Sequence, residues 1–497
     1  MAKPMMILLL GCVIWAAGSA ISTAAAAPPD LARAIPVDAW AVLMLPGGLS
    51  GAPPAEGHPQ GSGFETMAVL LDQARRMGLA AQADAGTRLV MDALASLPVI
   101  VRHPLAVCVL GADVRPFGEG GYRLADLRVG LIVQTGGCNT DLEARIRHLL
   151  RSHVNTESAT IETIGEATAP SYRLTDRRLP EWAQMQWGAV GDSYVLALGS
   201  GVFDRIAAAI RGAGQSLPDD SWFRSAHTRC RGETAVVEWM IRFDRIREHL
   251  EPVMAGRPDE VIAGLGLADV HRGLWMVGSH GRAVEANVML KRDGADEFTP
   301  ICVVPEEARI EATIPPQATR YAAIHYSPRE LVLRSRDAYL ASRAPSTRAD
   351  WLTLWAGIEE ETGISTERDV LQQLGRWIVI HDFPPNPLSI PLARTVLVEI
   401  SGSSVAVRTA LDRLLERYQR ALTAAANGAP GWFDWQLQHD ADGVWYLRAG
   451  IYGPALTVTE RWIVISFSPV AVRQNLAYLQ RPAEKPTTAP APERPAP

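Results

Sequence analysis

The order of apolar stretches in this chain occurs twice, and that constrains its fold more than any other property. Ile35-Pro36-Val37-Asp38-Ala39-Trp40-Ala41-Val42 and Ile314-Pro315-Pro316-Gln317-Ala318-Thr319-Arg320-Tyr321 each open an apolar strand after a proline. Farther on, the stretches 131–136 and 396–402 read as strands ending at glycine, and an amphipathic helix follows each. In the first helix Leu142, Ile146, Leu149, Leu150 and His153 share a face; in the second Val407, Leu411, Leu414, Leu415, Tyr418 and Leu422 do. That spacing lays a helix on a core. Each half closes with a strand pair and another helix. The stretch 189–196 aligns with 457–464, and Ser200, Val202 and Arg205 fall on Ser468, Val470 and Arg473. Agreement in element order over most of both halves argues for a repeated unit.

Between the halves, residues 236–241 read as a strand and 244–254 as a helix. The stretches 273–279 and 284–291 read as a hairpin about His280-Gly281-Arg282. Strands joined by hairpins, with helices between them, define an α+β class. The expected architecture is two related units of mostly antiparallel sheet and packed helices, joined by a smaller α+β connector. The expected division is a signal peptide at 1–27, a first unit at 28–218, a connector at 219–311, a second unit at 312–480 and a Pro/Ala-rich tail at 481–497. The tail holds six prolines and cannot build a core. Ten of the eighteen residues of 46–63 are Gly or Pro, which reads as a floppy loop.

With 47% hydrophobic and 21% charged residues, the chain is not wholly disordered. Five cysteines in 497 residues exclude a disulfide scaffold. A net charge of -6 argues against a nucleic-acid partner, which would demand a basic surplus.

The N-terminus reads as a secretory leader. Lys3 is the only charge before Asp30, residues 5–17 are an apolar run, and 18–27 are small apart from one isoleucine. Cleavage is expected after one of Ala24 to Ala27. The uncharged stretch 4–27 would also serve as an uncleaved anchor, the one expected contact with a membrane. Leu9-Leu10-Gly11-Cys12 resembles a lipoprotein box, but the apolar run continues through Val13, Ile14 and Trp15. Export places Cys108, Cys138, Cys230 and Cys302 in an oxidising compartment. Four cysteines allow three pairings, and spacing selects none. Cys108 and Cys302 lie in strand-like stretches, where a buried thiol is the alternative to a disulfide.

Further features carry a resemblance. They are the leader, the Pro-led first strand, and Gly191-Asp192-Ser193-Tyr194-Val195-Leu196-Ala197-Leu198 before a helix. Asp220-Ser221-Trp222-Phe223 and Leu265-Gly266-Leu267-Ala268-Asp269-Val270 then follow. The arrangement resembles a family of uncharacterised bacterial envelope proteins catalogued as a domain of unknown function. It spans most of residues 35–480 as a pattern. The resemblance implies export and an α+β architecture and carries over no site.

No phosphate-binding Gly-rich loop, dinucleotide fingerprint, His-Glu-x-x-His or Gly-x-Ser-x-Gly elbow occurs. No cofactor and no metal is expected. The candidate ligand-binding residues are Trp432, His381 and Asp382. His381-Asp382 ends a strand before a proline loop and reads as a loop-capping pair, with proton transfer the functional alternative. Trp432 falls on the polar side of a hairpin and reads as core or interdomain packing, with an indole that stacks on a sugar or seats a partner the functional alternative. His148 and His153 sit about 140° apart around a helix, too far to share a metal. Asp440-Ala441-Asp442-Gly443 lacks the later carboxylates of a calcium loop and reads as a hairpin turn. The expected function is that of an exported protein of the periplasm or cell envelope. It would be non-catalytic, binding or supporting an unknown envelope partner or ligand. The alternative is an extracytoplasmic hydrolase using His381 and Asp382.

Overall fold

The computed structural model describes residues 31–46, 100, 103–117, 121–137, 139–154, 157–165, 170–230, 234–254, 268–318, 320–341, 345–383, 394–426, 436–448 and 453–481. The leader, the Gly/Pro-rich loop beyond Pro46, Cys138, the side chain of His153, Trp432 and the tail beyond Arg481 lie outside the described residues. Among the described residues no helix is long and apolar enough to cross a membrane. The chain forms two compact units. Unit 1 takes its described residues from Met1–Val304 and Arg320–Ala356, and unit 2 from Pro305–Thr319, Gly357–Asn386 and Leu392–Pro497.

Unit 1 begins with β1 (Ala41–Leu45), β2 (Leu105–Phe117), β3 (Gly121–Gln134) and α1 (Thr140–His153). Next come β4 (Ala159–Ile164), β5 (Ser171–Asp176), β6 (Met185–Val190), β7 (Ser193–Leu198) and α2 (Val202–Ile210). α3 (Ser221–Cys230), β8 (Thr234–Arg242), α4 (Phe243–Met254), β9 (Val270–His280), β10 (Ala283–Arg292) and β11 (Asp296–Val303) follow. β12 (Tyr321–His325), α5 (Pro328–Ala341) and most of α6 (Pro345–Thr362) complete it. The strand expected from Val37 starts later, because the Ala39 N–H donates to the Pro36 carbonyl in a turn (3.1 Å).

The strands pair antiparallel in the order β4-β5-β6-β7-β3-β2-β1-β8-β9-β10-β11. β12 runs parallel to the start of β10 and antiparallel to the end of β11. The stretch 219–311 therefore does not form a separate connector. β8 pairs along β1 from Ala41↔Ile241 to Met44↔Glu238, satisfying an edge that β2 leaves open, and the sheet simply continues.

One face of the sheet carries the core. Val42, Met44, Ala106, Cys108, Ile132, Val195 and Ala197 meet Val202, Phe203 and Ile206 of α2 and Trp222 and Phe223 of α3. The Asp220-Ser221-Trp222-Phe223 motif docks α3. Asp220 Oδ1 accepts the N–H groups of Trp222 (2.9 Å) and Phe223 (3.1 Å), as an N-cap does. Its Oδ2 accepts from Arg242 (2.6 Å) and Arg272 (2.5 Å). Burial pushes the Asp220 carboxyl up, but the N–H donors and the two guanidinium groups outweigh it and hold it below its ordinary range.

Cys108, Cys230 and Cys302 are free, buried thiols. No disulfide joins these three in this fold. Burial raises Cys108 and Cys302 to about 12 and Cys230 to about 11.

Unit 2 opens on a helical turn, Ala308–Glu311. It continues with β13 (Leu374–His381), β14 (Thr395–Ile400), α7 (Ser404–Ala426), β15 (Gln436–His439) and β16 (Trp445–Arg448). β17 (Ala455–Val458), β18 (Trp462–Ser466) and α8 (Pro469–Leu479) close it. The antiparallel order is β13-β14-β18-β17-β16-β15. α7 covers one face, where Val407 packs with Ile400, Val398, Val458 and Ile463. α8 covers the other. Tyr418, expected on the core face of α7, is 53% exposed. It lies about 60° around the helix from Leu415. Leu415 and Leu422 already fill the contact with Leu437, Trp445 and Leu447. His148 on α1 is exposed.

Candidate functional site

Three strands of unit 2 present an inner face of three rows. The middle row is Val379, Leu397 and Val464, each 0% exposed and paired across β13, β14 and β18. Cross-strand partners share a face. Each flanking row carries buried polar side chains, against the expectation for a face buried under a helix.

At one end lies Glu399, paired with Trp462. Its Oε2 accepts the backbone N–H groups of Arg376 (3.0 Å) and Trp377 (3.3 Å), and its Oε1 accepts from Arg309 (2.6 Å). The carboxylate fits because residue 375 is glycine; a Cβ there would come within 2.3 Å of Oε2. Glu307 accepts the Trp377 indole N–H (3.3 Å). Every strong acceptor here is engaged, so this end is a closed structural network.

At the other end His381 faces Thr395, which faces Ser466. Asn475 of α8 lies over them. All four are buried to 2% exposure or less. Asn475 Nδ2 donates toward Thr395 Oγ1 (2.9 Å), the Phe383 carbonyl (3.0 Å) and the Ala471 carbonyl (2.9 Å). Thr395 Oγ1 donates to the Phe383 carbonyl (3.2 Å), and the Phe383 N–H donates to His381 Nδ1 (3.3 Å). Ser466 Oγ accepts the Ser468 N–H (3.3 Å). His381 Nε2 and Asn475 Oδ1 have no hydrogen-bond partner. Burial pushes the His381 imidazole down to about 4, against the charge of Asp382, so the ring is neutral near pH 7. Burial likewise lowers Arg394, again opposed by Asp382.

The corresponding part of unit 1 is apolar. Its pairing order β2-β3-β7-β6-β5-β4 parallels β13-β14-β18-β17-β16-β15 strand for strand. The registers agree as well: Gln134↔Ser193 to Gly130↔Ala197 runs like Glu399↔Trp462 to Thr395↔Ser466. The N–H of Thr135 donates to the Asp192 carbonyl, and that of Ile400 to the Arg461 carbonyl. On this register Cys108, Gly130 and Ala197 stand where His381, Thr395 and Ser466 stand. Ile206 presses on Gly130, where a Cβ would meet its Cδ1 at 2.2 Å; Asn475 takes that role in unit 2.

On this register the positions differ by one residue from those matched in the sequence. Val202 is 0% exposed whereas Val470 is 53% exposed; Val202, Phe203 and Ile206 correspond to Ala471, Val472 and Asn475.

The structure thus draws His381 into the interior, with Asp382 half-buried beside it. It adds Thr395, Ser466 and Asn475, which the sequence reading passed over as strand-end and helix residues. The signal was there: a polar residue at each position where the parallel stretch of the other half is small or apolar. Among the described residues no group of three or more His, Cys, Asp or Glu side chains is placed to hold a metal ion. Asp440 is a turn residue. Its Oδ1 accepts the N–H groups of Asp442 (3.0 Å) and Val444 (2.9 Å), its Oδ2 accepts from Arg473 (2.6 Å), and Gly443 takes a φ of 76°. Those contacts occupy the carboxylate that a cation would need.

No family model matches the chain, and no curated protein matches it. Two solved structures are similar in part. Crystal form III of TP0453 matches with a TM-score of 0.26 at 9% identity, over 55% of this chain and 82% of that one. Crystal form I of TP0453 matches with a TM-score of 0.24 at 10% identity, over 54% and 80%. Similarity at that level carries no argument about fold or function.

Proposed function

We propose that this chain is an exported cell-envelope protein with a non-catalytic task, binding or supporting a partner or ligand, and that it is built from a repeated α+β unit. The observation that carries the non-catalytic reading is the position of His381. A general acid or base must reach its substrate and titrate near the working pH. His381 is 1% exposed, hydrogen-bonded through Nδ1 to its own loop, and held neutral down to about pH 4. It serves packing. The shared pairing order and register of the two sheets support the repeat. The apolar leader with its single lysine supports export.

Native mass spectrometry of the full-length protein recovered from its own envelope tests this reading. A polypeptide mass lacking about 27 N-terminal residues supports export. Extra mass that is lost on denaturation supports a bound ligand. A full-length, unmodified mass, with turnover by the purified protein that His381→Ala abolishes while the fold persists, would overturn it.

A further inference from the structure

His381 and Asn475 leave the polar layer incomplete in complementary ways. The Phe383 N–H occupies His381 Nδ1, so the neutral ring carries its proton on Nε2, and Nε2 has no acceptor. The Asn475 amide is fixed by its surroundings: Nδ2 faces the carbonyls of Phe383 and Ala471, which accept only. Its Oδ1 therefore faces inward with no donor. One donor and one acceptor, both shielded from solvent, sit in a layer whose four side chains are at most 2% exposed. Native interiors rarely leave two such groups unsatisfied in one layer. Ser466 adds a third group, since its Oγ accepts from Ser468 and keeps its own proton.

We propose that this layer of unit 2 is a binding site for one neutral hydroxyl oxygen, that of a water molecule or of a small alcohol. The oxygen accepts from His381 Nε2–H, donates to Asn475 Oδ1, and meets the Ser466 hydroxyl with its remaining capacity. Three hydrogen bonds are the usual complement of a buried water. The chemistry excludes other guests. A carbonyl or an anion only accepts, and would leave Oδ1 without a donor. An ammonium only donates, and would oppose Nε2–H. A divalent cation finds one amide oxygen and no carboxylate in the layer. The inference rests on the two unpartnered atoms and is independent of the functional reading above.

The test is a crystal structure of the full chain, purified and crystallised without alcohols or polyols. The expected result is a density peak about 2.7–3.2 Å from both Nε2 and Oδ1. The parallel layer of Cys108, Gly130, Ala197 and Ile206 is the internal control and should be dry. A single peak identifies water as the source; connected density identifies an alcohol carried through purification. A direct contact between Nε2 and Oδ1, or a peak touching only one of them, overturns the proposal. In solution, long-range proton–nitrogen spectra of histidine-labelled protein should place the His381 proton on Nε2 and show transfer to it from bound water. A proton on Nδ1 overturns the proposal whatever the crystal shows.

Discussion

A histidine closed into a core titrates as part of the folding equilibrium. Folded His381 is lowered to about 4, from an ordinary value of 6.5. The unfolded chain therefore takes up the proton first as pH falls. The neutral ring's contribution is complete above about pH 6.5, erodes below it, and is gone by about pH 4. Its size is roughly 3 kcal/mol. Urea midpoints measured from pH 7.5 to 4 should fall more steeply for the natural protein than for His381→Gln; parallel curves would mean that the ring is solvated. The cysteines give a second test at this scale. Cys108, Cys230 and Cys302 are protonated at pH 8 as well as shielded, and the thiolate is the reactive form. Iodoacetamide should leave all three unlabelled in the folded protein and label all three after denaturation. A disulfide at any of them, mapped by peptide mass, would contradict the fold. Spacing alone gave no choice among the pairings, because burial is decided by which strand or helix each thiol joins and how that element packs.

At the scale of elements, periodicity carried most of the information. The hairpin about Gly281, the helix after Arg242 and the turn at Asp440 follow from alternation and turn chemistry that the sequence displays. What periodicity did not reveal was where capping and pairing would override it. Pro36 turns the chain before β1 begins, and β8 joins β1, so the expected connector became part of one sheet. Asp440 shows how much one residue can hold. It satisfies two turn N–H groups and pins Arg473 of α8 to the β15–β16 hairpin; Arg473 also lies over the Tyr446 ring at 5.5 Å. Asp440→Ala should lower stability by about 1–3 kcal/mol. Asp440→Asn keeps an oxygen for the turn, loses only the charge, and should lie between the two. Calcium should leave the melting temperature of all three proteins unchanged. A calcium-dependent rise in the natural protein alone would overturn the hairpin-turn reading.

Across the whole molecule, the same strand order is packed in two ways, one layer apolar and one polar. A buried polar layer contributes little net stability, yet each member is costly to leave alone. The sequence alignment set Val202 against Val470, which share residue type but not burial. Only the strand register exposes the correspondence of Ile206 with Asn475. That correspondence makes a prediction about the units as wholes. Asn475→Ile removes the amide donor to Thr395 Oγ1 and to the Phe383 and Ala471 carbonyls and should cost about 2–4 kcal/mol. Ile206→Asn buries an amide among Cys108, Gly130 and Ala197 and should cost at least as much. Converting the entire layer of unit 2 to that of unit 1 (H381C, T395G, S466A, N475I) removes both unpartnered side-chain atoms together, though it takes side-chain partners from the Phe383 and Ser468 backbone groups. It should be less destabilising than the sum of its single changes by about 2 kcal/mol or more, measured by denaturant unfolding. Additive single changes would mean that the four residues do not act as a layer, and the polar set would then have to be explained one residue at a time.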